Sequence, residues 1–176
     1  MNLSEPNKKS LSIREIVLFS MLGALMFVSK IILEVLPNIH LLGMFTMVYT
    51  IVFRKKALIP IYVYVLINGI WSGFAAWWIP YLYIWTVLWA ITMLLPQSMS
   101  RKKANIVYPL VCALHGILFG VLYAPMQALI FGLDFKGMLA WIGFGFYWDI
   151  VHGIGNFAAG FLVYPLSQVL KRVSLK

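Results

Sequence analysis

The sequence predicts an all-α membrane protein of six transmembrane helices with both termini in the cytoplasm, and three observations predict it. Of 176 residues, 62% are hydrophobic and 11% charged, with a mean hydropathy of +0.91, far from the balance of a soluble domain. Apolar segments recur from Leu11 to Leu170. The third observation is the placement of charge: 12 of the 14 Lys and Arg residues fall into four clusters, each separated from the next by two apolar segments. The clusters are Lys8, Lys9 and Arg14; Arg54, Lys55 and Lys56; Arg101, Lys102 and Lys103; and Lys171, Arg172 and Lys176. Short cytoplasmic loops collect Lys and Arg, so this alternation fixes an even number of spans and both ends inside. The net charge of +9 is thereby a topology signal, and no nucleic-acid partner is expected. A single membrane domain, residues 1–176, follows, with a polar cytoplasmic stretch at residues 1–10. The repeated apolar segments leave no length for a soluble domain and do not resemble a cleaved signal.

Span 1, Leu11 to Leu36, is entered by Ser12-x-x-Glu15, a helix-capping box, and ends at Pro37-Asn38. Ser20, Gly23 and Ala24 make a small-residue patch on it, where another helix can approach closely. Span 2, His40 to Phe53, is shorter than the roughly 20 residues of an upright crossing and follows a tight outer turn. Span 3, Ala57 to Trp71, carries Pro60 and Asn68; Gly69, Gly73, Ala75 and Ala76 then predict a flexible outer loop. Span 4, Pro80 to Leu95, is aromatic: Trp78, Trp85 and Trp89 extend over about 16 Å of helix, deeper than an interfacial belt requires, so some of them are expected to line a pocket. Span 5, Asn105 to Phe131, contains Pro109, Gly116, Gly120 and Pro125, which predict kinks or a break. An outer loop, Gly132 to Tyr147, is expected to hold a short interfacial helix near Met138 to Ile142. Span 6 runs from Trp148 to Leu170.

The candidate site lies on span 6. Asp149, His152 and Asn156 are spaced i, i+3, i+7, within about 60° of one another on a helix, and form one polar stripe in an apolar chain. Ionisable groups at membrane depth are costly, and they face a bundle interior or watery cavity where they serve function. His115, Tyr123 and Gln127 on span 5 are expected to converge with them in an outward-facing cavity; the other reading is helix-to-helix hydrogen bonding. Lys30 and Glu34 are spaced to pair with each other, and Asn38 and His40 stand in the turn above as weaker candidates. There is no phosphate-binding G-x-x-x-x-G-K-[ST] loop, no H-E-x-x-H zinc helix and no G-x-S-x-G elbow, so neither catalysis, a metal nor another cofactor is expected. The lone Cys112 excludes a disulfide framework and reads as a small buried hydrophobe.

These features together resemble the membrane-embedded substrate-binding (S) components of energy-coupling factor transporters, the vitamin-uptake branch of ABC importers. The resemblance covers nearly the whole chain: its length, six spans, the span 1 patch, the Leu36-Pro37-Asn38 turn and Asp149-x-x-His152-x-x-x-Asn156. It implies a bacterial plasma-membrane protein that binds a water-soluble vitamin or precursor in a pocket formed by the outer halves of helices 4 to 6. It also implies association with an energy-coupling transmembrane protein and two cytoplasmic ATPases. The family's Ala-x-x-x-Ala docking patch corresponds here to Ser20-x-x-x-Ala24. The metal-transporting branch fits less well, because the chain starts Met1-Asn2-Leu3 and lacks that branch's Met-His start. Many aromatic residues with few charges suit a flat heterocycle such as hydroxymethylpyrimidine, thiamine or pyridoxine, with Asp149 or Glu34 available to a ring nitrogen; cobalamin is the larger alternative. The rival reading is an intramembrane enzyme or stand-alone small-molecule transporter.

Overall fold

The structure, a computed structural model, describes residues 11–174. Lys8, Lys9 and Lys176, the polar first ten residues and Met1-Asn2-Leu3 lie outside the described residues. Within them the regular structure is entirely helical. The capping box forms: Ser12 Oγ accepts from the Glu15 amide (3.2 Å) and Glu15 Oε2 accepts from the Ser12 amide (3.1 Å). It starts α1, Ile13–Ile32, which stops four residues earlier than span 1, in successive turns through Leu36.

α2, Leu42–Phe53, is 12 residues long and buried on most sides, with Leu42, Met44, Met47, Val48 and Tyr49 all in the core. A helix that is apolar all round belongs in an interior, and α2 is packed between the helices Tyr81–Leu94 and Val163–Ser174, with α1, Arg101–Ile117 and Phe135–Gly160 around it. Tyr49 Oη donates to the Leu22 carbonyl (3.0 Å), tying it to α1. A 3-10 turn, Arg54–Ala57, leads into α3, Leu58–Ser72, which lies along α1. That approach needs Gly23, because a Cβ there would stand 2.5 Å from Val63 Cγ1 and 2.9 Å from the Pro60 carbonyl.

The expected flexible loop after α3 contains a second 3-10 turn, Ala76–Trp78, before α4, Tyr81–Leu94. α5, Arg101–Ile117, begins at an N-cap, Ser100, so the basic triplet forms its first turn and does not belong to a loop. The expected break in span 5 occurs at Leu118, and α6, Phe119–Phe131, continues beyond it. α5 and α6 together exceed about 45 Å at 1.5 Å per residue, well over the roughly 30 Å hydrocarbon core.

Two boundaries differ from expectation. α7, Phe135–Gly160, begins 13 residues before the expected start of span 6 and absorbs the supposed loop with its interfacial helix; the Asp134 carboxylate caps it by accepting from the Gly137 amide (2.7 Å). The remaining connection is Gly132 to Asp134, with Gly132 in the left-handed conformation that ends α6. This hairpin was hidden because aromatic and Gly-rich sequence around Trp141 to Tyr147 reads as an interfacial loop, while Asp134 is an effective helix start. The second difference is a 50° bend after Gly160, which separates α7 from α8, Val163–Ser174.

Three helical stretches are long and apolar enough to cross a membrane, Ile13–Ile32, Ala76–Leu94 and Arg101–Phe131, and the bent α7–α8 pair makes a fourth if taken as one span. Their outward faces carry exposed Ile16, Met21, Leu25, Leu110, Leu114 and Ile154, apolar surface that suits lipid better than water. The described residues are all-helical and hold three or four stretches able to cross a membrane. α2 and α3 fall short of the length of an upright crossing.

The described basic clusters share one end of the molecule. Lys56 pairs with Glu15 at the start of α1, Arg54 Nη2 donates to the Met93 carbonyl at the end of α4 (2.8 Å), and Arg14 and Ser174 line one cleft there. Lys103 lines a groove with Leu95 and Ser100, below the end of α4.

Candidate functional site

The site begins with the close crossing of α5 and α7. A Cβ on Gly116 would stand 3.0 Å from the backbone of Gly153, and one on Gly160 would run into the Pro109 backbone. Small residues of this kind let membrane helices approach. The approach brings the polar stripe of α7 against α5 and α6: Asp149, His152 and Asn156 are all buried, as the spacing predicts.

Asp149 acts across the break at Leu118. The first amides of a helix have no intrahelical acceptor, and Leu118, at the N-cap of α6, has no side chain to offer. The Asp149 carboxylate takes that place, with Oδ1 accepting from the Gly120 amide (3.1 Å). Any Cβ on residue 120 would collide with that carboxylate.

Asp149 also lines a vestibule of about 640 Å³ at the end of the molecule remote from the basic clusters. Its walls include Asn38, Trp77, Tyr123, Gln127 and Trp141. They are braced: Tyr123 stacks on Trp141 (5.7 Å, 13°) and its hydroxyl donates to the Trp77 carbonyl (2.9 Å). Asn38 holds φ at 56°, which Asn tolerates better than most residues, and its amide donates to the Trp148 carbonyl (3.3 Å).

Beneath the vestibule lies a closed aromatic and imidazole cluster, with Phe119 between the two. Phe119 lines the vestibule and also meets His152 (4.9 Å), Trp85 (6.0 Å) and His115 (6.3 Å). All three histidines of the chain belong to this cluster: His40 lies 4.5 Å from His152 and 5.9 Å from Trp85, and Trp85 lies 5.8 Å from His115. Tyr64 packs on the far side of Trp85 (6.2 Å). Asn68 stands one turn from Tyr64 on α3, also buried.

These side chains leave much of their hydrogen-bonding capacity unused. Among the described residues, His40 Nδ1, Tyr64 Oη, Asn68 Oδ1, Trp85 Nε1, His115 Nδ1, Asp149 Oδ2, His152 Nε2 and both amide atoms of Asn156 are buried without a hydrogen-bond partner. His115 Nε2 does meet the Ile84 carbonyl (3.2 Å). Also among the described residues, no three of His, Cys, Asp and Glu are placed to hold a metal ion.

Several expected site residues lie elsewhere. Trp89 Nε1 donates to the Arg54 carbonyl (3.1 Å) at the basic end. Trp78 Nε1 donates to the Val65 carbonyl (2.8 Å) and so braces the outer turn onto α3. Glu34 is exposed and paired with Lys30 (2.9 Å). On α1, Ser20 is exposed and Ala24 half-buried, while Gly23 is taken up by contact with α3. Sequence reasoning missed Phe119, Tyr64, Trp77 and Trp141 and underweighted His40. For Phe119 the available signal was its place beside Gly120 in a proline- and glycine-interrupted helix; for Tyr64 it was a hydroxyl in mid-helix that buried chains rarely leave idle.

Fold and site define a class: among the described residues, a helical bundle with stretches able to cross a membrane, an open vestibule at one end and uncommitted polar groups sealed beneath it. Comparison with protein-family models, curated proteins and solved structures finds no match.

Proposed function

We propose that the chain is the substrate-binding membrane component of an energy-coupling factor transporter. In this reading it crosses the bilayer six times with both termini cytoplasmic, α2 and α3 being short, internally packed crossings. It captures a water-soluble vitamin or precursor of pyrimidine or pyridine type and delivers it with a coupling protein and two ATPases. The observation that carries the reading is the opposition of the two ends. The described basic clusters gather at one, the cytoplasmic side by the preference of Lys and Arg for inner loops. The vestibule opens at the other, so it faces outward, above buried polar groups suited to a small heterocycle. The absence of a phosphate-binding loop in the sequence agrees with partners that hydrolyse ATP.

The test is a thermal-shift or native mass-spectrometry screen of the detergent-purified chain against water-soluble vitamins and precursors. A ligand at 100 times its dissociation constant adds about 2.7 kcal/mol of stability, easily read as a higher midpoint. Binding without net uptake by the chain alone in liposomes is the expected pair of results. Uptake without ATP and partners marks a stand-alone transporter instead, and no binding by a folded chain refutes the proposal. Ala24→Trp should block co-purification with the coupling protein while leaving ligand binding intact; unaltered assembly would remove α1 as the docking face.

A further inference from the structure

We propose that the ligand's ring seats below Phe119, among His40, Tyr64, Trp85, His115, His152 and Asn156, by exchanging places with the Phe119 ring. This seat accepts a single flat heteroaromatic ring that carries both hydrogen-bond donors and acceptors and no negative charge. The inference rests on the substrate-binding reading above and narrows it.

The first support is the concentration of unused polar atoms. Buried polar groups in folded proteins almost always find partners, and Asn and His in membrane helices find them on neighbouring helices. Here six residues contributed by α3, α4, α5, α7 and the α1–α2 connection leave seven atoms without one, in a chain of ring contacts no longer than 6.2 Å. Asn156 joins that chain one turn beyond His152; its amide stands 2.8 Å from where a Cβ on Gly116, the neighbour of His115, would lie. Groups kept free and buried against their own cost are groups held for another molecule.

Their chemistry specifies the complement. The Trp85 indole only donates, the Tyr64 hydroxyl and the Asn156 amide donate and accept, and each imidazole leaves one nitrogen free, that of His115 an acceptor in the neutral ring because its Nε2 donates to the Ile84 carbonyl. A ring nitrogen next to an amino or hydroxyl substituent satisfies such a set. No Lys or Arg stands among the six residues or lines the vestibule above them, whereas the free oxygen of Asp149 does lie on the way in. A phosphate or carboxylate entering there loses its water, gains no counter-charge and meets an acid, and an unpaired buried charge is strongly disfavoured.

Phe119 supplies the room. Its half-buried phenyl ring borders both the vestibule and the cluster, and it stands directly after the helix break at Leu118. Swung upward into the roughly 640 Å³ vestibule, it vacates the volume of one six-membered ring. A macrocycle such as cobalamin has no place in that exchange.

The experiment is titration of the full chain in nanodiscs with three probes: 4-amino-5-hydroxymethyl-2-methylpyrimidine, its phosphate monoester, and pyridine-3-carboxylate. The free aminopyrimidine should bind, and both anions should bind at least about a hundredfold more weakly, as sites with unmatched buried polar groups discriminate. Asn156→Ala and Trp85→Phe should each weaken the aminopyrimidine by about tenfold or more, and Phe119→Trp, which leaves no space for exchange, should slow its association. Leu129→Ala, at an exposed position outside both the vestibule and the cluster, should leave its affinity within about threefold. Equal affinity for the phosphate ester overturns the charge selection. Loss of binding in Trp141→Ala with no effect at Asn156 and Trp85 overturns the buried seat. If the aminopyrimidine fails but another vitamin from the screen stabilises the chain, this inference falls and the binding function stands; if nothing binds, both fall.

Discussion

Replacing Asn156 by Ala separates a group held for a ligand from a group that holds the fold. Asn156 is 1% exposed, and neither amide atom has a hydrogen-bond partner among the described residues. Leaving a polar group buried and unsatisfied costs about 1–3 kcal/mol, so the truncation removes a penalty of that size. It also opens a small void beside Gly43 and Gly116, whose missing side chains cannot fill it. Losing a buried side chain of this size costs roughly 2 kcal/mol. The two effects nearly cancel, and the free chain should keep its stability to within about 1 kcal/mol. Ile61→Ala is the control: that side chain is 0% exposed and purely apolar, and its loss should cost about 2–5 kcal/mol. The assay is denaturant or thermal unfolding in detergent, with and without saturating ligand. Ligand-induced stabilisation should shrink in Asn156→Ala and persist in whatever Ile61→Ala protein folds. If Asn156→Ala is as damaging as Ile61→Ala and ligand stabilisation is unchanged, Asn156 is a structural residue and the reasoning fails.

Gly160→Val should lower the unfolding midpoint, because its Cβ meets the backbone of Pro109, where overpacking costs about 1–3 kcal/mol. Gly155→Ala, with 3.4 Å to Ile39 Cγ1, should shift it little, and equal shifts would contradict the α5–α7 crossing. Asp149→Ala should cost about 1–2 kcal/mol, the usual loss of a helix cap, and speed hydrogen exchange at the Gly120 amide. Asp149→Asn keeps an oxygen acceptor and should retain most of that stability; equal damage from both would show that the charge and not the cap matters. Glu34→Ala should alter stability by less than about 0.5 kcal/mol, since its pairing with Lys30 is exposed, and should leave vitamin binding unchanged. A marked fall in affinity would return Glu34 to the site.

The polar stripe was legible because helical periodicity is a property of the local sequence: Asp149, His152 and Asn156 share a face wherever the helix starts. The capping box and the break in span 5 were legible for the same reason, being written in Ser12-x-x-Glu15 and in the glycines around Leu118. The start of α7 was not, since composition made Gly132 to Tyr147 an interfacial loop, and what decides the matter is the packing of Trp141 on Tyr123. The partners of Trp78 and Trp89 were illegible too. Both are spaced for a pocket, yet each indole is claimed by a backbone carbonyl, that of Val65 within α3 and that of Arg54 in the turn after α2, and no periodicity reveals which carbonyl a distant indole will reach. The third histidine belongs to the cluster only because the α1–α2 turn folds down over α7, a contact spanning more than 100 residues of chain.

The distribution of satisfied and unsatisfied groups then says where this molecule can change shape. At the basic end, Lys56 with Glu15, Arg54 with the Met93 carbonyl and Trp89 with the Arg54 carbonyl lock α1, α2, α3 and α4 together. Tyr49 adds a buried tie between α1 and α2. At the outer end, Tyr83 donates to the Leu122 carbonyl (2.6 Å) and Tyr123 to the Trp77 carbonyl, fixing α6 to α4 and its leading turn. The layer between has a single such tie, His115 Nε2 to the Ile84 carbonyl, and there the aromatic contacts are edge-on or tilted, not stacked. Within that layer Phe119 is the ring that has free volume beside it. A rigid shell around a soft, polar centre lets ligand binding reorganise the centre at small cost, provided the ligand supplies the hydrogen bonds that the protein itself does not.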